Sequence, residues 1–157
     1  MEEGEYRAAA EALRPMLVET ARSYLRDTAA AEDMAQETLI RMWQMHDALH
    51  SPVEALARTI VRNLALDYLR RRKPLTDIGE TDIAAEETDT DHERYRRIMS
   101  IIATLPALQQ TVLRLRLTEG REYAEIAELT GIKQTALRKI VSRARFRILT
   151  IYNEMNI

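Results

Sequence analysis

Apolar side chains recur at steps of three and four along most of the chain, the spacing of one helical face. Residues 5–26 read as a helix with Leu13, Leu17, Tyr24 and several alanines on one side. Over residues 29–46, Ala35, Leu39, Met42 and Trp43 form the stripe predicted to be buried, while Asp33, Gln36, Glu37, Arg41 and Gln44 line the polar side. The stretch Ser51-Pro52-Val53-Glu54 predicts a helix start, with Ser51 as N-cap, Pro52 in the first turn and Glu54 closing a capping box. Val53, Leu56, Ile60, Leu64 and Tyr68 carry that helix to a basic run, and Pro74 disfavours helix at Lys73. Helix is predicted again near Glu93, with Ile98, Ile101, Ile102 and Leu105 as its stripe. Pro106 opens a further helix holding Leu108, Val112 and Leu115, which stops near Gly120.

Between Pro74 and Asp91 the period is lost. Eight acids and no Lys or Arg lie between Asp77 and Glu93, directly after the four cations Arg70, Arg71, Arg72 and Lys73. The net charge of −2 hides this segregation: without those eight acids, 23 cations face 17 acids. The expected architecture is all-α, with two small helical domains joined by a flexible acidic linker: residues 1–73, linker 74–91 and residues 92–157. Only four Gly and four Pro in the chain agree with helices over many short strands. There is no Cys, which excludes disulfides and thiolate metal sites. No apolar run approaches the roughly 18 residues of a membrane span, and the acidic start lacks the pattern of a signal peptide. A cytoplasmic protein with no membrane contact of its own is expected.

The stretch Glu122–Leu149 carries the most specific pattern. A short helix, about Glu122 to Leu129, has the small Ala127 where a second helix must cross. Gly131 suits the positive φ of a tight turn. Ile126, Ile132, Leu137 and Ile140 are spaced to fill the wedge, and Leu137, Val141, Ala144 and Ile148 continue the inner stripe. The outer face carries Gln134, Thr135, Arg138, Lys139, Ser142 and Arg143, and no acid falls between Glu128 and Glu154. This is a helix-turn-helix with a recognition helix: cations for phosphates, Gln and Arg for base edges in the major groove. The first half has a second basic surface in Arg58, Arg62, Arg70, Arg71, Arg72 and Lys73, with Asn63 beside it and Tyr68 placed to stack on an unpaired base.

With these segments in order, the chain resembles the extracytoplasmic-function (ECF, group IV) sigma factors of bacterial RNA polymerase. AEDMAQETLIRMW and IVRNLALDYLRRRKP are similar to parts of sigma region 2, and the stretch from Leu105 to Arg145 to region 4. The resemblance implies that the protein binds core RNA polymerase and directs promoter-specific initiation. Asp33, Gln36, Glu37 and Arg41 would bind the clamp helices of the largest subunit. Arg62, Asn63, Arg70 and Arg71 would meet the separated strand of the −10 element. The helix-turn-helix would read the −35 element as duplex and touch the flap of the second-largest subunit. An anti-sigma factor is a frequent partner in the family. No cofactor, no metal and no enzymatic activity are implied. The acidic linker, which repels phosphate, is expected to suppress DNA binding by the free protein.

Two other readings of the sequence compete with this one. A helix-turn-helix regulator acting outside the polymerase accounts for residues 106–150 but leaves the first half without a task. A metalloenzyme is suggested only by His46 and His50 in HDALH, and Ser51-Pro52 prevents both rings from sharing one helical face.

Overall fold

The computed structural model describes residues 1–72 and 85–155, the side chains of 85–89 excepted. Seven α-helices and no strand are found among these residues: α1 Glu3–Tyr24, α2 Thr28–Gln44, α3 Glu54–Arg71, α4 Ala85–Ala103, α5 Ala107–Leu113, α6 Tyr123–Thr130 and α7 Gln134–Met155. The all-α expectation holds. Most of the expected linker, residues 73–84, lies outside the described residues, while α4 begins at Ala85, before the start near Glu93 that periodicity predicted.

The first half is three helices packed on one another. Tyr6, Leu13, Leu17 and Ala21 bury one stripe of α1. The Tyr6 hydroxyl donates to the carbonyl of Leu39, which ties α1 to α2. Burial pushes the pKa of that hydroxyl up, so it stays a proton donor. Asp27 caps α2, accepting from the N–H of Ala29 at 2.9 Å. Ala31 and Ala35 then let its neighbours approach closely, while Thr38 and Met42 fill the remaining core.

Three details differ from the pattern. Trp43 is 40% exposed, not buried; its ring stacks on His46, centroids 4.2 Å apart, just before the short 3-10 turn His46–Ala48. Tyr24 and Ile98 likewise lie on the surface. Ser51 does not cap α3. The N-cap is Val53, whose side chain is buried, and Glu54 pairs with Arg58 at 2.9 Å instead of reaching back. Apolar burial at the helix entry outweighs the capping box here.

In the second half α4, α5 and α6 all pack on α7. Between α5 and α6 the chain makes one π-helical turn, Arg114–Thr118, closed by the N–H of Glu119 bonding the carbonyl of Arg114 at 3.0 Å. Wide turns of this kind often mark functional positions. Leu105, Val112, Leu115, Ile126, Leu137 and Val141 belong to the same buried cluster as Leu17, Met42, Leu56 and Val61. The two helical units therefore share one apolar core. Units of about 70 residues bury only roughly 60% of their chain surface, which leaves each marginal by itself.

Gly131 serves both the turn and this packing. Its φ is +74°, and a Cβ there would stand 2.5 Å from the Cβ of His50, across the junction of the halves. His50 N–H also donates to the carbonyl of Thr130 at 3.1 Å. Gly120 has a similar φ of +67° but open space around it. Gly120→Ala should therefore cost only the left-handed strain, about 1–2 kcal/mol. Gly131→Ala should cost clearly more, because strain and overlap add. Urea denaturation of the two variants checks the order, and equal losses would remove the close approach as a determinant.

Candidate nucleic-acid interface

The recognition helix is held from behind by Leu137, Val141 and Ala144, all buried. Their 4-3 spacing turns the opposite face outward, and Gln134, Thr135, Arg138, Lys139, Ser142 and Arg143 are all exposed there. The turn before α7 is set by a buried residue that the sequence reading passed over. The Thr130 hydroxyl donates to the carbonyl of Ile126 at 2.8 Å and accepts from the N–H of Ile132 at 3.1 Å. Gly131 takes the left-handed conformation between them.

Arg138 is oriented by an aromatic ring. Its guanidinium carbon lies 5.1 Å from the ring centre of Tyr123, at the start of α6, and that of Arg116 lies 4.6 Å from the same ring. Such contacts are worth about 0.5–1 kcal/mol at exposed sites. They hold the guanidinium near the start of the recognition helix.

The structure divides the basic surface of the first half. Arg70 and Arg71 are exposed at the end of α3, with Arg70 3.6 Å from Asp67. Arg72 turns back onto Tyr68, 2.8 Å from its hydroxyl, and covers the ring that would stack on a base. Lys73 lies outside the described residues. Arg62, its side chain 35% exposed, and the buried Asn63 both reach the second half. Arg62 bonds Glu119 at 2.8 Å and the Asn63 amide donates to the same carboxylate at 3.0 Å. Asn63 is buried. One turn along α3, Arg114 grips Asp67 with two bonds of 2.6 and 3.0 Å. That hydrogen bond raises the pKa of Arg114 above its usual value, against the effect of burial.

The polar face of α2 is open. Asp33 and Gln36 are exposed, and Glu37 and Arg41 pair with each other at 3.2 Å while remaining partly exposed. Ile40 and Trp43 add exposed apolar surface to this face. Charged residues with an apolar centre make a better protein-docking face than charge alone. Ile40 was missed as part of it, although its place between Glu37 and Arg41 could have revealed it.

Thr130→Val keeps the shape of the turn and deletes both hydroxyl bonds. It leaves the Ile132 N–H without a partner, at an expected cost of about 1–3 kcal/mol. Chemical denaturation measures this loss, and an unchanged midpoint would contradict the role given to the hydroxyl.

Comparison with known proteins agrees with both halves. Residues 9–74 match the family described as sigma-70 region 2, and residues 95–148 match sigma-70, region 4. The chain is 37% identical to the probable RNA polymerase sigma factor RfaY of Xanthomonas campestris over 83% of its own length and 35% of that protein's. It is 25% identical to the ECF RNA polymerase sigma factor SigM of Bacillus subtilis, over 83% of this chain and 85% of that one. The chain thus spans about a third of the first relative and most of the second. A solved sigma factor, RpoE in complex with the anti-sigma factor NepR from Bartonella quintana, gives a TM-score of 0.41 at 20% identity, covering 95% of this chain and 97% of that one.

Proposed function

The chain belongs to the extracytoplasmic-function sigma factors, with sigma-70 regions 2 and 4 in order, and on that premise we propose that it binds core RNA polymerase and directs initiation at specific promoters. The observation that carries the reading is the pairing of two unlike surfaces in one chain. One is an open α2 face of Asp33, Gln36, Glu37, Ile40 and Arg41. The other is a recognition helix whose exposed face has cations and no acid before Glu154. A regulator acting outside the polymerase would use only the second.

In this reading the α2 face meets the clamp helices of the polymerase's largest subunit. Arg62, Asn63, Arg70 and Arg71 contact the separated −10 strand. Gln134, Thr135, Arg138, Lys139, Ser142 and Arg143 read the −35 duplex, while the second half touches the flap of the second-largest subunit. An anti-sigma factor is a further partner of the kind common in the family. The chemistry of RNA synthesis stays with the polymerase, so the chain itself needs no catalytic group and acts in the cytoplasm. Among the described residues no helix is long and apolar enough to cross a membrane.

Transcription in vitro with core polymerase is the direct test: the protein should be required for defined start sites. Failure of core to initiate at any promoter recovered with the protein would refute the reading. Glu37→Lys inverts a charge on the open face of α2. It should weaken core binding at least about tenfold while helicity is kept, since like charges juxtaposed at an interface cost several kcal/mol and each ~1.4 kcal/mol is tenfold. An unchanged dissociation constant would move the contact elsewhere. Arg138→Ala should lose about 1–3 kcal/mol of promoter discrimination, the worth of a bidentate base contact, with core binding intact. Unaltered selectivity among −35 variants would assign the base reading to another side chain.

A further inference from the structure

Two of the side chains placed on the −10 strand already hold an anion in the free protein. Arg62 Nη2 lies 2.8 Å from Glu119 Oε1 and Asn63 Nδ2 lies 3.0 Å from Oε2, so each carboxylate oxygen is taken. Arg121 Nε adds a contact at 3.4 Å from its own side of the junction. The Glu119 side chain is only 17% exposed, so water competes less here than at a surface pair. Four residues further along α3, the signs reverse: Asp67 is the acid and Arg114 of the second half the cation. Cation and amide then acid on α3 meet Glu119, which caps the π-helical turn, then Arg114, which begins it. That order fits one register of the two halves and penalises others.

To an Arg–Asn pair, a carboxylate and a backbone phosphate look alike, since both offer two acceptor oxygens and a negative charge. We propose that Glu119 is an internal stand-in for a nucleic-acid phosphate: it latches the second half over Arg62 and Asn63 and keeps the free protein from single-stranded DNA. This rests on the reading of Arg62 and Asn63 as −10 contacts. The latch does not cover the α2 face, so polymerase can dock while the protein is closed. Glu119 lies on the segment that leads into α6. Moving the helix-turn-helix away onto duplex DNA therefore withdraws the carboxylate and frees the pair together. The shared apolar core favours closure but gives it little direction; the ion pairs set the register. Their parting returns four charged groups to water, which offsets part of the lost attraction.

The test uses the full chain, without polymerase, and a fluorescent oligothymidine read by anisotropy at low salt. If the open form is about a tenth of the population, releasing the latch raises apparent affinity by up to about tenfold. Glu119→Gln should show this gain. Glu125→Gln removes the same charge from an exposed position on α6 and should show little. Arg114→Gln sharpens the test, because loss of a cation by itself weakens DNA binding, whereas release of the latch strengthens it. Arg62→Ala in the Glu119→Gln background should cancel the gain. Circular dichroism confirms that each variant keeps its helices. Equal affinities for Glu119→Gln and Glu125→Gln, or weaker binding by Arg114→Gln, would overturn the latch. Transcription by holoenzyme carrying Arg62→Ala, run in parallel, separates the two ideas. Lost output keeps the −10 reading whatever the latch does, and unchanged output overturns that reading and the stand-in with it.

Discussion

Leu115, Ile126 and Leu137 of the second half are buried with Leu17, Met42 and Leu56 of the first, in one continuous apolar cluster. Most of the molecule's other features follow from this sharing. Two marginal helical units gain stability by burying surface against each other, and the partly buried polar groups at their junction gain from being paired. Arg62, Asn63 and Asp67 on α3 find their partners in Glu119 and Arg114. Gly131 permits the backbones to come close where a Cβ would overlap His50. Closure of the free protein and exposure of the groups proposed to meet DNA are therefore opposed for part of the surface.

The opposition is uneven, and the unevenness has a functional sense. The recognition helix and the α2 face stay open in the closed form, while the Arg62–Asn63 pair does not. In the proposed reading, the surfaces for duplex DNA and for a protein partner are available from the start. The groups proposed for the separated strand are engaged with Glu119, and such a strand exists only after polymerase has opened the duplex. The expectation from the sequence was a linker that repels phosphate and competes for Arg70–Lys73 and the Arg138–Arg147 face. The residues at the linker's centre lie outside those described, and among the described residues the acid that the second half places on the basic surface is Glu119, bonded to Arg62.

Most helices and the helix-turn-helix were legible because amphipathic period, Pro and Gly placement, and one-sided charge all pointed the same way. Ile126, Leu137, Val141 and Ala144 are buried where the spacing put them, and the six outer residues of the recognition helix are exposed. What the pattern could not deliver were contacts between the halves. Glu119 in Arg-Leu-Thr-Glu-Gly reads as an ordinary acid at a helix end, and nothing local tells it from a solvated one. Trp43 satisfied the helical stripe, yet the space beneath α2 is filled by Met42, Met45 and Thr38, and the indole stays at the surface beside Tyr6 and His46. Ser51 had the composition of a cap, but burial of Val53 fixed the helix entry first.

Because the chain has no cysteine, a single pair of introduced thiols labels it cleanly. Ala55→Cys on α3 and Glu128→Cys on α6 are both exposed, on helices that pack together across the junction. Energy transfer between dyes at these positions reports on closure directly. A closed free protein that polymerase opens requires high transfer efficiency alone and a marked fall on titration with core RNA polymerase. Low transfer in the free chain, or high transfer unchanged at saturating polymerase, would contradict it.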